Sequence, residues 1–418
     1  MRIPMESGNC AQILDTLIRL GRQDALPCVL LRPRPREGAD IFEGDFDFLI
    51  DGARFDRVLE TVFDACRQAG VSFIVRQRSP FKRQIELLDD AGCVTLELWS
   101  QAEFRTGRGH GALTRAALDY RALHAAGAAA RGGLLAAIFV LHLHHKRKDL
   151  GSELTRWRLA HFARQPGLSD GLRLALEGLR AGGVDLDRAH AQALAHLRER
   201  GVPIVPPWRV AARRMAAACR TALRWRARRT TAVVGPDGSG KTALIDAVRR
   251  APEGAGLRVQ RFKRFFRRPL FHLFRDEPRN VRDEKMLWLV LPVAWLYFQS
   301  SHWLAGRGKD FVLDRYFYDY LVADVRSDAR PLRRIAGYGA WSALVPRPDR
   351  LVIATCPSDI IFGRKREMPA ASIDALYRIY LDQVVRSGVP ETLCCDTGGT
   401  LERSQARMAG LLAASGRG

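Results

Sequence analysis

The octapeptide Gly235-Pro-Asp-Gly-Ser-Gly-Lys-Thr242 limits what this chain can become more than any other feature. It follows the short apolar run Thr231–Val234 and precedes the helical stretch Ala243–Arg250. A glycine, four residues, then Gly-Lys-Thr between a strand and a helix predicts a phosphate-cradling loop. Gly235, Gly238 and Gly240 let the backbone turn its N–H groups inward, with Asp237 and Ser239 between them. The helix N-terminus adds a favourable dipole for an anion. Lys241 is expected to reach the β- and γ-phosphates, and Thr242 to offer its hydroxyl to Mg²⁺. ATP and Mg²⁺ are therefore the expected cofactors.

The chain around this loop alternates apolar runs with helical spacing. Thr231–Val234, Leu257–Phe262, Phe311–Asp314, Leu351–Thr355 and Leu393–Asp396 read as five strands. Continuous apolar strands separated by helices predict a parallel sheet buried on both faces, with its ligand edge at the strand carboxyl ends. The run Phe311-Val-Leu-Asp-Arg-Tyr316 puts Asp314 at such an end, where a carboxylate can act on the Mg²⁺ shell or an acceptor hydroxyl. Arg315 beside it is placed to hold a phosphoryl group or an anionic acceptor.

The octapeptide together with Leu-Asp-Arg-Tyr resembles the thymidylate kinase family of P-loop kinases, over roughly residues 230–415. Arg347-Pro-Asp-Arg-Leu-Val-Ile-Ala-Thr355 is similar to that family's fourth strand. The resemblance implies a lid helix carrying Arg364, Lys365 and Arg366 that closes over the phosphates. It also implies an acceptor loop after the second strand. Here that region reads Arg261-Phe-Lys-Arg-Phe-Phe-Arg-Arg-Pro269, which departs from the family's usual Arg-Glu-Pro. Arg264, Arg267, Arg268 or the later Asp276-Glu277-Pro278 remain alternatives for the acceptor contact.

A second constellation lies near the start of the chain. Asp45 and Asp47 alternate on a strand and so share a face. Glu97, on a later strand, is the third candidate carboxylate for a Mg²⁺ ion. This layout resembles the nucleotidyltransferase superfamily, although Leu31-Arg32-Pro33 stands where that superfamily carries a Gly-Ser turn. The group His142, His144 and His145 lies in the helical stretch that follows, and its spacing reads as a helix face rather than a metal site.

The expected organisation has three parts: residues 1–105 as a nucleotidyltransferase-like α+β domain, 106–225 as a helical segment, and 226–418 as the P-loop domain. The fold class is α/β, with a five-stranded parallel sheet in the last part. In the first part, helices are expected near Ala11–Leu20 and Arg54–Ala69, and strands at Cys28–Leu31, Phe46–Ile50 and Val94–Leu98.

The formal charge is +22, yet only eight of the 67 basic residues are lysine. Arginine bias of this kind accompanies GC-rich coding; it also suits a small anionic acceptor such as a nucleoside monophosphate or sugar phosphate. The Arg-rich stretch Val210–Arg229 reads as a solvated linker helix, with an anionic membrane surface as the sharper alternative. No zinc-finger or RNP pattern points to nucleic acid. Eight cysteines without a Cys-x-x-Cys pair fit a reduced, cytoplasmic protein. No signal peptide is evident, and the apolar run Met286–Phe298, broken by Pro292, is too short to span a bilayer. The function these readings imply is ATP-dependent phosphoryl transfer. The alternatives are a bifunctional nucleotidyltransferase and kinase of surface polysaccharide metabolism, or a nucleotide-dependent binding protein.

Overall fold

The structure is a computed structural model that describes residues 8–33, 45–90, 92–106, 115–125, 127–222, 230–251, 258–261, 311–323, 333–335, 337–365 and 368–415, with six positions between 292 and 300. The expected acceptor loop 262–269, the alternative 276–278 and Arg366 lie outside the described residues, as does most of Met286–Phe298.

The chain begins with α1 (Asn9–Arg22), β1 (Cys28–Leu30), β2 (Asp45–Ile50), α2 (Phe55–Ala69), β3 (Ser72–Ser79), β4 (Lys82–Asp89) and β5 (Gly92–Trp99). Strands β6 (Gln101–Arg105) and β7 (Arg115–Asp119) form a separate antiparallel pair. A helical stretch follows: α3 (Tyr120–Ala125), α4 (Gly127–Lys146), α5 (Glu153–Ala163), α6 (Asp170–Ala181), α7 (Leu186–Glu199) and α8 (Pro207–Ala222). Side-chain caps start two of these helices: Ser152 accepts from the Thr155 N–H and Asp185 from the Arg188 N–H. Next come β8 (Thr230–Val234), α9 (Lys241–Arg250), β9 (Arg258–Arg261), β10 (Phe311–Asp314), β11 (Val322–Ala323) and β12 (Arg333–Arg334). The chain closes with α10 (Tyr338–Leu344), β13 (Arg350–Thr355), α11 (Ser358–Arg364), α12 (Ala370–Ser387), β14 (Glu391–Asp396) and α13 (Leu401–Ser415).

One ten-stranded sheet runs in the order β1-β2-β5-β4-β3-β14-β13-β8-β10-β9. The last five strands in that order are mutually parallel, each within two residues of the runs read from the sequence. They do not form a sheet of their own, as had been expected. Strand β3 pairs antiparallel with β14, so the parallel block is half of a mixed sheet. The physical reason is the edge of β14, whose unpaired N–H and C=O groups are satisfied by β3 rather than by water. The hairpin β3–β4 that supplies this partner was not foreseen.

Alternation along the parallel strands feeds two cores. Ala232, Val234, Leu313, Leu351, Ile353 and Cys394 face a cluster shared with α1, α2, α10 and α12. Val233, Val312, Val352, Leu393 and Cys395 face the opposite cluster, with α9 and α13. Period-2 side chains that are buried on both sides explain the continuous apolar runs. A third cluster joins Leu49 and Phe104 to helices α3 to α7. Among the described residues, no helix is long and apolar enough to cross a membrane.

Charged residues stitch the two halves of the sheet. Arg76 is 6% exposed and pairs with both Glu86 and Glu391, the latter directly across the β3–β14 register. Arg350 and the Ser415 hydroxyl also bond Glu391. Farther along, Arg67 on α2 bonds Asp374 at 2.7 Å on α12, and Arg407 pairs with Asp396.

Candidate active site

The loop between β8 and α9 lies at the carboxyl edge of the parallel block. Its two neighbouring strands, β10 and β13, end beside it. Gly238 and Gly240 take φ of 89° and 81°, the left-handed region that a side chain disfavours. The space is also tight: a Cβ on Gly238 would lie 3.2 Å from the Lys365 Cβ, and one on Gly240 would lie 3.3 Å from the Thr397 Cβ. Gly240→Ala is therefore expected to destabilise the fold by about 1–2 kcal/mol. A urea unfolding midpoint that does not move would refute that expectation.

Lys241 is 8% exposed and its ammonium is satisfied within the loop. It donates to the carbonyls of Gly235 and Pro236, both at 2.7 Å, and to Asp237 Oδ1 at 3.2 Å. Arg315 reaches the same Asp237 oxygen. One carboxylate thus draws both cations to one point. Burial acts to raise the Asp237 carboxyl, yet Lys241 and Arg315 hold it below its ordinary range. Burial, with Arg315 nearby, pushes the Lys241 ammonium down; Asp237 and Asp319 oppose that.

Arg315 itself has φ of 73°. A left-handed non-glycine residue costs of order 1–3 kcal/mol and persists where its surroundings fix it. Here the fixing is evident. The Arg315 N–H donates to Val233 O at 2.9 Å. Immediately beyond it, Tyr316, Phe317 and Tyr318 are all buried. The Tyr316 hydroxyl donates to Pro346 O at 2.6 Å, and the Tyr380 hydroxyl to Asp319 at 2.6 Å. Asp314 ends β10 in register with Val233, one strand from the loop, and its carboxylate has no ion pair or hydrogen bond among the described residues.

The loop is held from below by a residue that sequence reasoning missed. Thr397 is buried directly after β14. Its hydroxyl lies 2.7 Å from Ser239 O and 2.9 Å from Thr355 O. The only available signal was its position at a strand carboxyl end. Arg364, expected over the phosphates, instead donates to the carbonyls of Thr397 at 2.9 Å and Gly399 at 3.2 Å. Lys365 is the basic residue of that helix end that lies against Gly238 and Asp237.

These residues fit a nucleotide phosphate chain. Ser239 Oγ is buried without a hydrogen-bond partner among the described residues, a polar atom that calls for one. Thr242 is exposed at the first turn of α9, whose leading N–H groups have no intrahelical acceptor.

A cavity of about 590 Å³ opens at the same edge of the sheet. Gly398 and Gly399 form part of its wall, and Asn9, Arg67, Asp89 and Asp90 of the first part form another.

The second constellation does not fit a metal. Asp47 and Glu97 stand in register on the neighbouring strands β2 and β5. However, Arg32 pairs with Asp47, which also accepts from Trp99 Nε1 at 3.1 Å, and Lys82 pairs with Glu97. Asp45 is exposed. Among the described residues no group of three or more His, Cys, Asp or Glu is placed to hold a metal ion. The expected Mg²⁺ site at Asp45, Asp47 and Glu97 is not assembled among the described residues: Arg32 and Lys82 pair with two of its carboxylates. The histidines also separate, with His142 against Arg32 at 2.9 Å and His144 against Asp187 at 3.1 Å.

No family model matches the chain, and no curated protein matches it either. Among solved structures, it is similar to thymidylate kinase from Candida albicans, at 15% identity and a TM-score of 0.33. That likeness covers 45% of this chain and 92% of the other.

Proposed function

We propose that this protein is an ATP-dependent phosphotransferase acting on a small phosphorylated acceptor such as a nucleoside monophosphate. The observation that carries this reading is the convergence of Lys241 and Arg315 on Asp237, beside a glycine-turned loop and the Asp314 carboxylate, which has no partner among the described residues. A cation pair already gathered at one point offers preorganised charge to a transferring phosphoryl group. Phosphoryl transfer asks little more of a protein than positioning and charge stabilisation.

The roles follow from placement. The loop amides and Lys241 bind the β- and γ-phosphates. Arg315 holds the phosphoryl oxygens on the acceptor side. Thr242 and Asp314 hold Mg²⁺, which when bound would neutralise phosphate charge. Lys365 adds positive charge over Gly238, and Arg364 fixes the loop 397–399 that supports Ser239. The three-part organisation, with residues 226–418 carrying this site, belongs to the same reading. The bifunctional alternative is disfavoured by Arg32 and Lys82, which occupy the carboxylates it needs.

Asp314→Asn tests the assignment. It removes one charge without changing size, and no described residue depends on that carboxylate. Turnover with ATP and a responsive nucleoside monophosphate is expected to fall by about 10²-fold. The melting temperature should stay unchanged. Undiminished transfer in this variant would remove Asp314 from the reaction.

A further inference from the structure

A second cavity, of about 260 Å³, lies between the strands of the first part and helix α4. Strand β2 at its wall stands six places from β8 in the sheet order, about 29 Å at ordinary strand spacing. The strands also run the other way. Trp99 ends β5 and Ser79 ends β3, at the sheet edge opposite the carboxyl ends of β8 and β14. The cavity is thus separate from the loop 235–242.

Its charge is unbalanced. Arg32, Lys82, Arg115, Lys146 and Arg214 line it. Against these five cations stand three carboxylates: Asp47 and Glu103 in the wall, and Glu97 bonded to Lys82. Arg115 and Arg214 share Glu103, and Lys146 has no carboxylate partner among the described residues. Two positive charges are left uncompensated beside low-dielectric walls made by Leu31, Phe104, Ile138 and Phe139. Field lines concentrate in such a cleft, and it attracts anions.

The histidines register that field. Burial and then Arg32 push His142 down to about 2, and burial with Arg115 and Lys146 pushes His145 down to about 4. His145 also keeps Nδ1 buried with no hydrogen-bond partner. A divalent cation would meet repulsion here; an anion would meet fixed donors. The opposite wall carries Trp99, with the Lys82 ammonium 4.6 Å from the ring centroid. An aromatic face beside a cation suits a ring that bears a charged group. The volume of about 260 Å³ is close to the lower end of the usual range of ligand pockets, about 300–1,000 Å³, and suits a molecule the size of a phosphorylated monosaccharide.

We infer that this cavity binds a small phosphomonoester without a metal ion, its phosphoryl group held by Lys146, Arg115 and Arg214 and its ring set against Trp99. Fixed cations here replace the metal that the carboxylates Asp47 and Glu97 would otherwise recruit. The inference does not depend on the kinase reading.

The test is calorimetric titration of the full chain carrying Lys241→Ala, in EDTA, with ribose 5-phosphate, inorganic phosphate and ribose. The background substitution silences the loop site, so the two proposals fail separately. Ribose 5-phosphate is expected to bind at one site, more tightly than inorganic phosphate, and ribose not at all. Arg115→Met with Lys146→Met should weaken binding at least tenfold, about what two charge-assisted contacts supply. Lys146→Glu alone, at an exposed helix end, should do the same and serves if the double variant does not fold. Binding that needs Mg²⁺, binding indifferent to both variants, or no binding of either phosphate at about 10 mM would overturn the assignment.

Discussion

Lys241→Ala is expected to lower phosphoryl transfer from ATP by about 10²–10³-fold, the usual loss when one preorganised donor to a developing charge is removed. The variant should fold. Asp237 keeps its second partner, Arg315, and the Gly235 and Pro236 carbonyls lie at a loop where water can replace the ammonium. The assay is release of γ-phosphate and its transfer to a panel of nucleoside monophosphates. The loss should appear in turnover as well as in apparent affinity. Wild-type transfer in this variant would mean that another group carries the phosphoryl charge.

The second large effect concerns stability. Arg76→Met is expected to destabilise the fold by about 3 kcal/mol or more, because it leaves Glu86 and Glu391 together in a mostly buried place without their shared cation. The loss should reach the whole ten-stranded sheet, because β3 and β14 join its halves at this point. A single unfolding transition shifted to lower denaturant is the expected result. Two separated transitions in wild type would show that the halves unfold independently.

Acid should reproduce part of this. Burial acts to raise the Glu391 carboxyl, but Ser415, Arg350 and Arg76 hold it below its ordinary range. A carboxylate with a depressed folded value adds stability above its unfolded value. That contribution is lost as pH falls through the folded value. The wild-type unfolding free energy should therefore drop below the ordinary glutamate range, and Glu391→Gln should flatten that drop.

Four of the five parallel strands, β8, β10, β13 and β14, were legible because each holds a continuous apolar run, a pattern made by burial on both faces. The phosphate loop was legible because glycine spacing reports local backbone shape. The hairpin β3–β4 was not. Its strands carry Arg76, Gln77, Arg78, Lys82, Arg83, Gln84 and Glu86; Arg76, Arg78 and Lys82 find partners on neighbouring strands, and Arg83 bonds the Val385 carbonyl and stacks on Phe55. No local pattern announces that Arg76 will meet Glu391. The same holds at the candidate site. The pairing of Asp237 with Lys241 is local to the loop, four residues apart, but Arg315 comes from 78 residues away. At the second constellation, period 2 marked Asp45 and Asp47 as sharing a strand face, while the neutralising Arg32 and Lys82 come from other segments. Spacing reports which carboxylates share a face, and tertiary structure decides what stands in front of them.

The central claim is that the loop 235–242 receives the phosphates of a nucleoside triphosphate. Calorimetric titration with a non-hydrolysable ATP analogue and Mg²⁺ tests it most directly. One saturable site with affinity in the range of about 1 μM to 1 mM is predicted, with binding lost in Gly238→Val, where the new side chain would press on Lys365. No saturable binding by the wild-type protein, or equal binding by that variant, would contradict it.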